Sequence, residues 1–148
     1  VVTSAVEIFD LFMTLQDDYR LRNIYNTSGS SALNTYLEAW LLQAIVDFKP
    51  FCKNTLDYDK NTQTFLEELS LEEKIILSRL MIKYWLNKTI QDITQMNLAI
   101  TDRDYKRYAE SANLKEKMEL YKIKVEELSQ LINDYTLKNM DWENFNKP

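Results

Sequence analysis

The residues whose types and spacing could do chemistry are few. Glu67 with Glu68, Glu72 with Glu73, and Asp102 with Asp104 are carboxylate pairs able in principle to bind a cation or to exchange protons with a substrate. Two of these pairs fall where a helix should begin, and negative charge there is favoured by the helix dipole. The third ends a polar linker, and no convergent third group accompanies any of them. A helix-building role therefore outweighs a catalytic one. Cys52 is the single cysteine, and the chain has no histidine. It has no partner to activate or resolve a thiolate, so packing is its expected role. The missing histidine also removes the ordinary Ser-His and Cys-His nucleophile pairs and the imidazole metal ligands. One glycine cannot build a phosphate-cradling loop of either common type. The expectation is a protein that is not an enzyme and that needs no cofactor and no metal.

The remaining chemistry is that of contact. Three Trp, nine Tyr and six Phe occur in 148 residues, and aromatic residues fill both cores and protein interfaces. Trp40 and Trp85 lie on helical apolar faces and are expected in the core. Met140, Trp142 and Phe145 differ, because they sit in "TLKNMDWENFNKP" amid Asn, Asp and Lys, after the last helical stripe fades. Three large apolar groups on an unanchored tail would be exposed. Either the tail folds back on its own domain or it docks on a partner, and these three residues are the candidate partner-binding site.

Charge narrows the partners. Eighteen basic and 23 acidic residues give a net charge of −5, which opposes phosphate binding unless the cations cluster. Lys115, Lys117, Lys122 and Lys124 come nearest, but Glu116, Glu119, Glu126 and Glu127 interleave with them. Nucleic-acid recognition is not expected. The apolar start "VVTSAVEIFDLFMTL" contains Glu7 and Asp10 and lacks a basic lead, so it is a poor secretory signal. No stretch approaches the ~20 apolar residues of a spanning helix, and one cysteine suggests no oxidising compartment. A soluble protein made in a cytoplasm is expected.

The elements that must position these residues are helices. With one Gly and two Pro there is little hairpin chemistry, and the apolar spacing is helical nearly throughout. The fold class predicted is all-α: one bundle domain of about four to five helices over residues 1–135, with a C-terminal arm at 136–148. Ser4 and Glu7 form a Ser-x-x-Glu capping pair for a first helix reaching about Arg22. "NTSGSS" at 26–31 breaks it. A second helix runs from about Ser31 to Lys49, closed by Pro50. Residues 51–64 read as a polar connection, with room for a short strand or turn. Ser70 and Glu73 form another capping pair, opening the apolar helix "LEEKIILSRLMIKYWL", which has only a thin polar side and should be central. Its continuation through "NKTIQDITQMNLAI" is open. Thr101 with Asp104, and Asn113 with Glu116, predict two further helix starts. The last of these carries a stripe at Leu114, Met118, Tyr121, Val125, Leu128, Ile132 and Tyr135.

Several of these segments together resemble a known group. Leu69 to Glu73 (Leu-x-x-Glu-Glu), Leu80 to Leu86 (Leu-Met-x-x-x-Trp-Leu), Asp104 to Tyr108 (Asp-aromatic-x-x-Tyr) and Asn113 to Glu116 (Asn-Leu-Lys-Glu) match features of small helical head-tail connector, or neck, proteins of tailed bacteriophages. The stretch "LLQAIVDFKPFCKN" at 41–54 is similar to an upstream segment of that group. Two departures stand out: Asn87 and Lys88 follow Leu86 where family members often carry proline, and Asn113 stands where a histidine is common. The resemblance implies a virion structural protein. Such a protein forms a homo-oligomeric ring, commonly a dodecamer, beneath the portal protein, extends the DNA channel and docks the next neck or tail protein. DNA would pass through without specific binding, and no membrane is involved. The resemblance transfers no catalytic residue. The alternative from a different class is a free cytosolic helical adaptor or regulator that grips one protein partner.

Overall fold

The computed structural model describes residues 2–16, 19–99 and 104–140, with side chains described for all of these except 19–20, 93, 95–99 and 104–113. Four helices, α1 (Ala5–Leu15), α2 (Tyr19–Phe48), α3 (Leu71–Ala99) and α4 (Asp104–Lys138), and a two-stranded hairpin, β1 (Tyr58–Asp59) and β2 (Thr64–Phe65), make an all-α bundle with a small β appendage. α3 is the hub: α1, α2 and α4 all pack on it. That follows from its sequence, because Ile76, Leu77, Leu80, Met81, Ile82, Trp85 and Leu86 are all buried and leave it little polar surface.

Ser4 caps α1 by accepting a hydrogen bond from the Val6 amide at 3.3 Å. The reciprocal half of the expected capping pair is not formed, since the Glu7 carboxylate reaches Lys74 Nζ on α3 at 2.7 Å instead. The backbone around Ser4 is occupied otherwise: Phe65 N donates to Thr3 O and Ala5 N to Gln63 O, so residues 3–5 lie along β2. α1 stops at Leu15 rather than near Arg22. Gln16 turns extended while its amide closes the last turn on Phe12 O, and the buried Leu21 reaches the core from α2.

The expected break within 26–31 is confined to Gly29, at φ 85° and ψ −179°. This conformation is almost exclusive to glycine. A Cβ there would meet nothing within 4 Å, so the cost of Gly29→Ala is purely that of the backbone. We expect a loss of roughly 1–3 kcal/mol, read as a lower urea midpoint with an unchanged slope; an unchanged midpoint would remove the kink from the fold.

α2 ends as Pro50 requires, with the amides of Phe51 and Cys52 both turning back to Phe48 O at 2.9 and 3.0 Å. In the connection that follows, Tyr58 pairs with Phe65 and Asp59 with Thr64. Phe65 is fully buried, its ring 5.1 Å from that of Tyr58. This hairpin and Thr3, whose hydroxyl accepts from Leu69 N at 2.9 Å, pin the start of α3.

α3 passes straight through Asn87 and Lys88 to Ala99; no proline interrupts it. α4 corrects the expectation of two helices. Asn113 lies inside one continuous helix, because 104–138 contains neither Gly nor Pro and an interior Asn costs only about 0.7 kcal/mol. The stripe on α4 meets its own bundle over its second half only. Leu128 and Tyr135 are buried, Tyr121, Leu131 and Ile132 pack against the core, and Met118 stays exposed.

Candidate functional site

The densest polar cluster surrounds Glu73, which is 4% exposed. Its position is set locally by the capping pair predicted from sequence: Ser70 N donates to Glu73 Oε1 at 2.8 Å, and Glu73 N donates to Ser70 Oγ at 3.2 Å. Two distant segments complete it. From the turn after α2, Cys52 Sγ donates to Oε2 at 2.9 Å, and Asn54 Nδ2 reaches Oε1 and Oε2 at 2.9 and 2.8 Å. From the end of α4, Tyr135 Oη donates to Oε2 at 3.2 Å while accepting from Lys53 N at 2.9 Å. The Tyr135 ring packs edge-on against Phe48, centroids 5.3 Å apart. One carboxylate thus ties together α2, α3 and α4.

The electrostatics follow from this crowding. Burial alone would push the Glu73 carboxyl up, but the hydrogen bonds from Cys52, Ser70 and Tyr135 outweigh it and hold the group below its ordinary range. Burial, reinforced by the Glu73 carboxylate, pushes the Cys52 thiol up to about 12. Tyr135 is raised as well, chiefly by burial. The thiol and phenol are therefore neutral donors near neutral pH, and the carboxylate is an acceptor with its lone pairs engaged. This arrangement supplies neither a thiolate nucleophile nor a free base.

Beside the cluster lies an open cleft of about 820 Å³, lined among others by Lys53, Glu68, Glu72, Leu131 and Lys138. Glu72 faces Lys138 Nζ at 3.4 Å, an exposed pair of small energetic weight. Glu67 accepts from Thr55 Oγ1 at 2.6 Å. The Glu72–Glu73 pair is thus divided: one member is the buried hub and the other points to the cleft. Asp102 and the side chain of Asp104 lie outside the described residues. Among the described residues, no group of three or more Cys, Asp and Glu could hold a metal ion, and no helix is long and apolar enough to cross a membrane.

Comparison with protein-family profiles, with curated proteins and with solved structures finds no match to the chain.

Tyr135 and Glu73 illustrate a device used elsewhere in the fold. Tyr58 on β1 donates to Glu38 on α2 at 2.8 Å, with Gln63 Nε2 on the same oxygen at 3.0 Å. Tyr84 on α3 donates to Asp47 on α2; burial and that carboxylate push its phenol up to about 12. Each pair joins two elements, using tyrosine as a stiff apolar spacer with one polar tip. Of the aromatic residues singled out from sequence, Trp85 is buried and touches Phe12 edge-on. Trp40 is half-buried at the edge of the core beside Tyr36, and its indole Nε1 has no acceptor. Of the three candidate partner-binding residues, Met140 is 40% exposed just beyond α4, which runs to Lys138. Trp142 and Phe145 lie outside the described residues.

Proposed function

We propose that the chain is a structural and interaction protein of a bacteriophage virion, a head-tail connector. In this reading it assembles as a ring beneath the portal, extends the DNA channel and presents a docking surface for the next neck or tail component. It is not an enzyme. The observation that carries this reading is where the resembling residues fall. Leu80, Met81, Trp85 and Leu86 are core residues of the hub helix, Glu73 and Cys52 are bound to each other, and the matching segments from Leu41 onward lie on elements that touch. A resemblance that selects the packing framework, with no catalytic group in it, favours a shared architecture over a shared chemistry.

Two physical features support the same conclusion. Cys52 and Glu73, two of the groups singled out for chemistry, are consumed by hydrogen bonds that join separate elements. Large apolar side chains are left on the outside as well: Val46, Leu66, Leu71, Phe51 and Ile123 are each more than half exposed. A subunit that contacts two neighbours through different surfaces gives such residues partners without any gain to the monomer. A terminal arm bearing Met140, Trp142 and Phe145 would add contact area at the ordering cost of a short segment.

Replacing Trp142 by Ala should weaken ring formation or portal binding at least tenfold, because buried aromatic anchors commonly contribute 2 kcal/mol or more, an order-of-magnitude figure of about thirtyfold. The helical circular dichroism should not change. Sedimentation velocity over a concentration series reads the first, and unaltered assembly would remove the arm from the interface.

A further inference from the structure

A second, smaller cavity of about 210 Å³ lies where the end of α1 meets α3 and α4, and its lining is Leu15, Arg79, Ile82, Lys124 and Glu127. One of its charged groups carries a buried donor with no acceptor. Arg79 Nε is fully buried and without a hydrogen-bond partner. Among the described residues, the half-buried Lys124 and the exposed Glu127 also make no ion pair or hydrogen bond. Two cations and one anion thus give the cavity a formal charge of +1, in a chain whose net charge is −5.

Such an arrangement is costly if left empty. Guanidinium stays protonated at any ordinary pH and offers a planar fork of donors matched to two oxygens of a carboxylate or phosphate. A buried donor without an acceptor loses its hydration and recovers nothing. Ile82 is buried beside it, and a charged contact made on that drier side is stronger than one in open water. The cavity has room for a group such as a carboxylate or inorganic phosphate.

We infer that the Arg79–Lys124 cavity is a socket for an oxyanion, a carboxylate or phosphate group held by the Arg79 fork and the Lys124 ammonium. The oxyanion comes either from a small molecule or from an acidic side chain of a second copy of this chain. The socket does not depend on the connector reading, and its failure would leave that reading untouched.

The test follows the Arg79 Nε–Hε nuclear magnetic resonance signal of the full chain, with sodium chloride at matched ionic strength as the reference. Sodium acetate and sodium phosphate form one arm, and a protein dilution series in chloride alone forms the other. A saturable shift with acetate or phosphate, weakened at least tenfold in Lys124→Gln, assigns the oxyanion to a small molecule. A shift that tracks protein concentration without added anion assigns it to a second copy. Arg79→Met in chloride should melt no lower than the wild type, since it removes an unpaired buried donor, Nε, and should lose the anion-dependent rise in melting temperature. Identical responses to chloride and oxyanions, no shift in either arm, or an Arg79→Met variant that melts several degrees lower in chloride alone would each overturn the inference.

Discussion

Glu73→Ala should be the most damaging single substitution outside the apolar core, costing about 3–5 kcal/mol of stability. The carboxylate is buried and accepts from Cys52, Asn54, Ser70 N and Tyr135, so removing it leaves four donors from three segments of the chain without their acceptor. Urea denaturation near neutral pH measures the loss directly. A cost below 1 kcal/mol would mean that the donors find water or one another, and that the cluster does not hold α4 to the bundle. Glu73→Gln keeps one acceptor oxygen and should lose less.

The same residue gives a pH dependence with a definite sign. Because the folded carboxyl lies below its ordinary value of 4.5, the unfolded chain binds a proton there before the folded one does. Glu73 therefore contributes stability that is fully present above pH 4.5 and is lost as pH falls through the lowered folded value. The stability of Glu73→Gln should fall less steeply than that of the wild type over that acidic window. Equal slopes would mean that the carboxylate gains nothing from its donors.

Trp85→Ala is the second large effect, expected at about 3–5 kcal/mol because it combines lost burial with a cavity. Trp85 is 4% exposed on the hub helix and meets Phe12 of α1 edge-on, centroids 6.3 Å apart at 86°. That edge contact contributes about 0.5–1.5 kcal/mol of the total. A double-mutant cycle with Phe12→Leu isolates it, and additive losses in the cycle would show that α1 does not rest on α3 through this pair.

What was legible in the sequence was mainly local. Ser70–Glu73 announced the start of α3, Gly29 the break in α2, and Pro50 the end of α2, because each acts through the backbone within a few residues. The continuous apolar run of α3 announced its central place. The connection at 51–64 was read with room for a short strand or turn, but the pairing of Tyr58 with Phe65 and of Asp59 with Thr64 lay beyond that reach. Their turn contains no glycine, and positive φ is taken instead by Gln63 within it and by Leu56 just ahead of β1, residue types that carry no turn signal. Asn113 misled for the opposite reason: its type suits a helix start, but nothing in its neighbourhood stops the helix it lies in.

The site was legible in fragments. Glu73 was read as a cap, Cys52 as a packing residue and Tyr135 as the end of a stripe, and each description is incomplete in the same way. What unites them is contact across 62 and 82 residues of chain, set by how α4 returns along α3. No local spacing encodes that return. The available hint was compositional: many tyrosines, no histidine and carboxylates at helix ends, which together favour phenol-to-carboxylate ties.

The central claim is that this chain acts through its surfaces, as a ring-forming connector. Sedimentation velocity and electron microscopy of the purified protein, alone and mixed with its cognate portal protein, test it most directly. Rings of the chain, or a portal complex carrying the chain in matching copy number, are the predicted result. A strictly monomeric protein with no affinity for portal or neck components would contradict it.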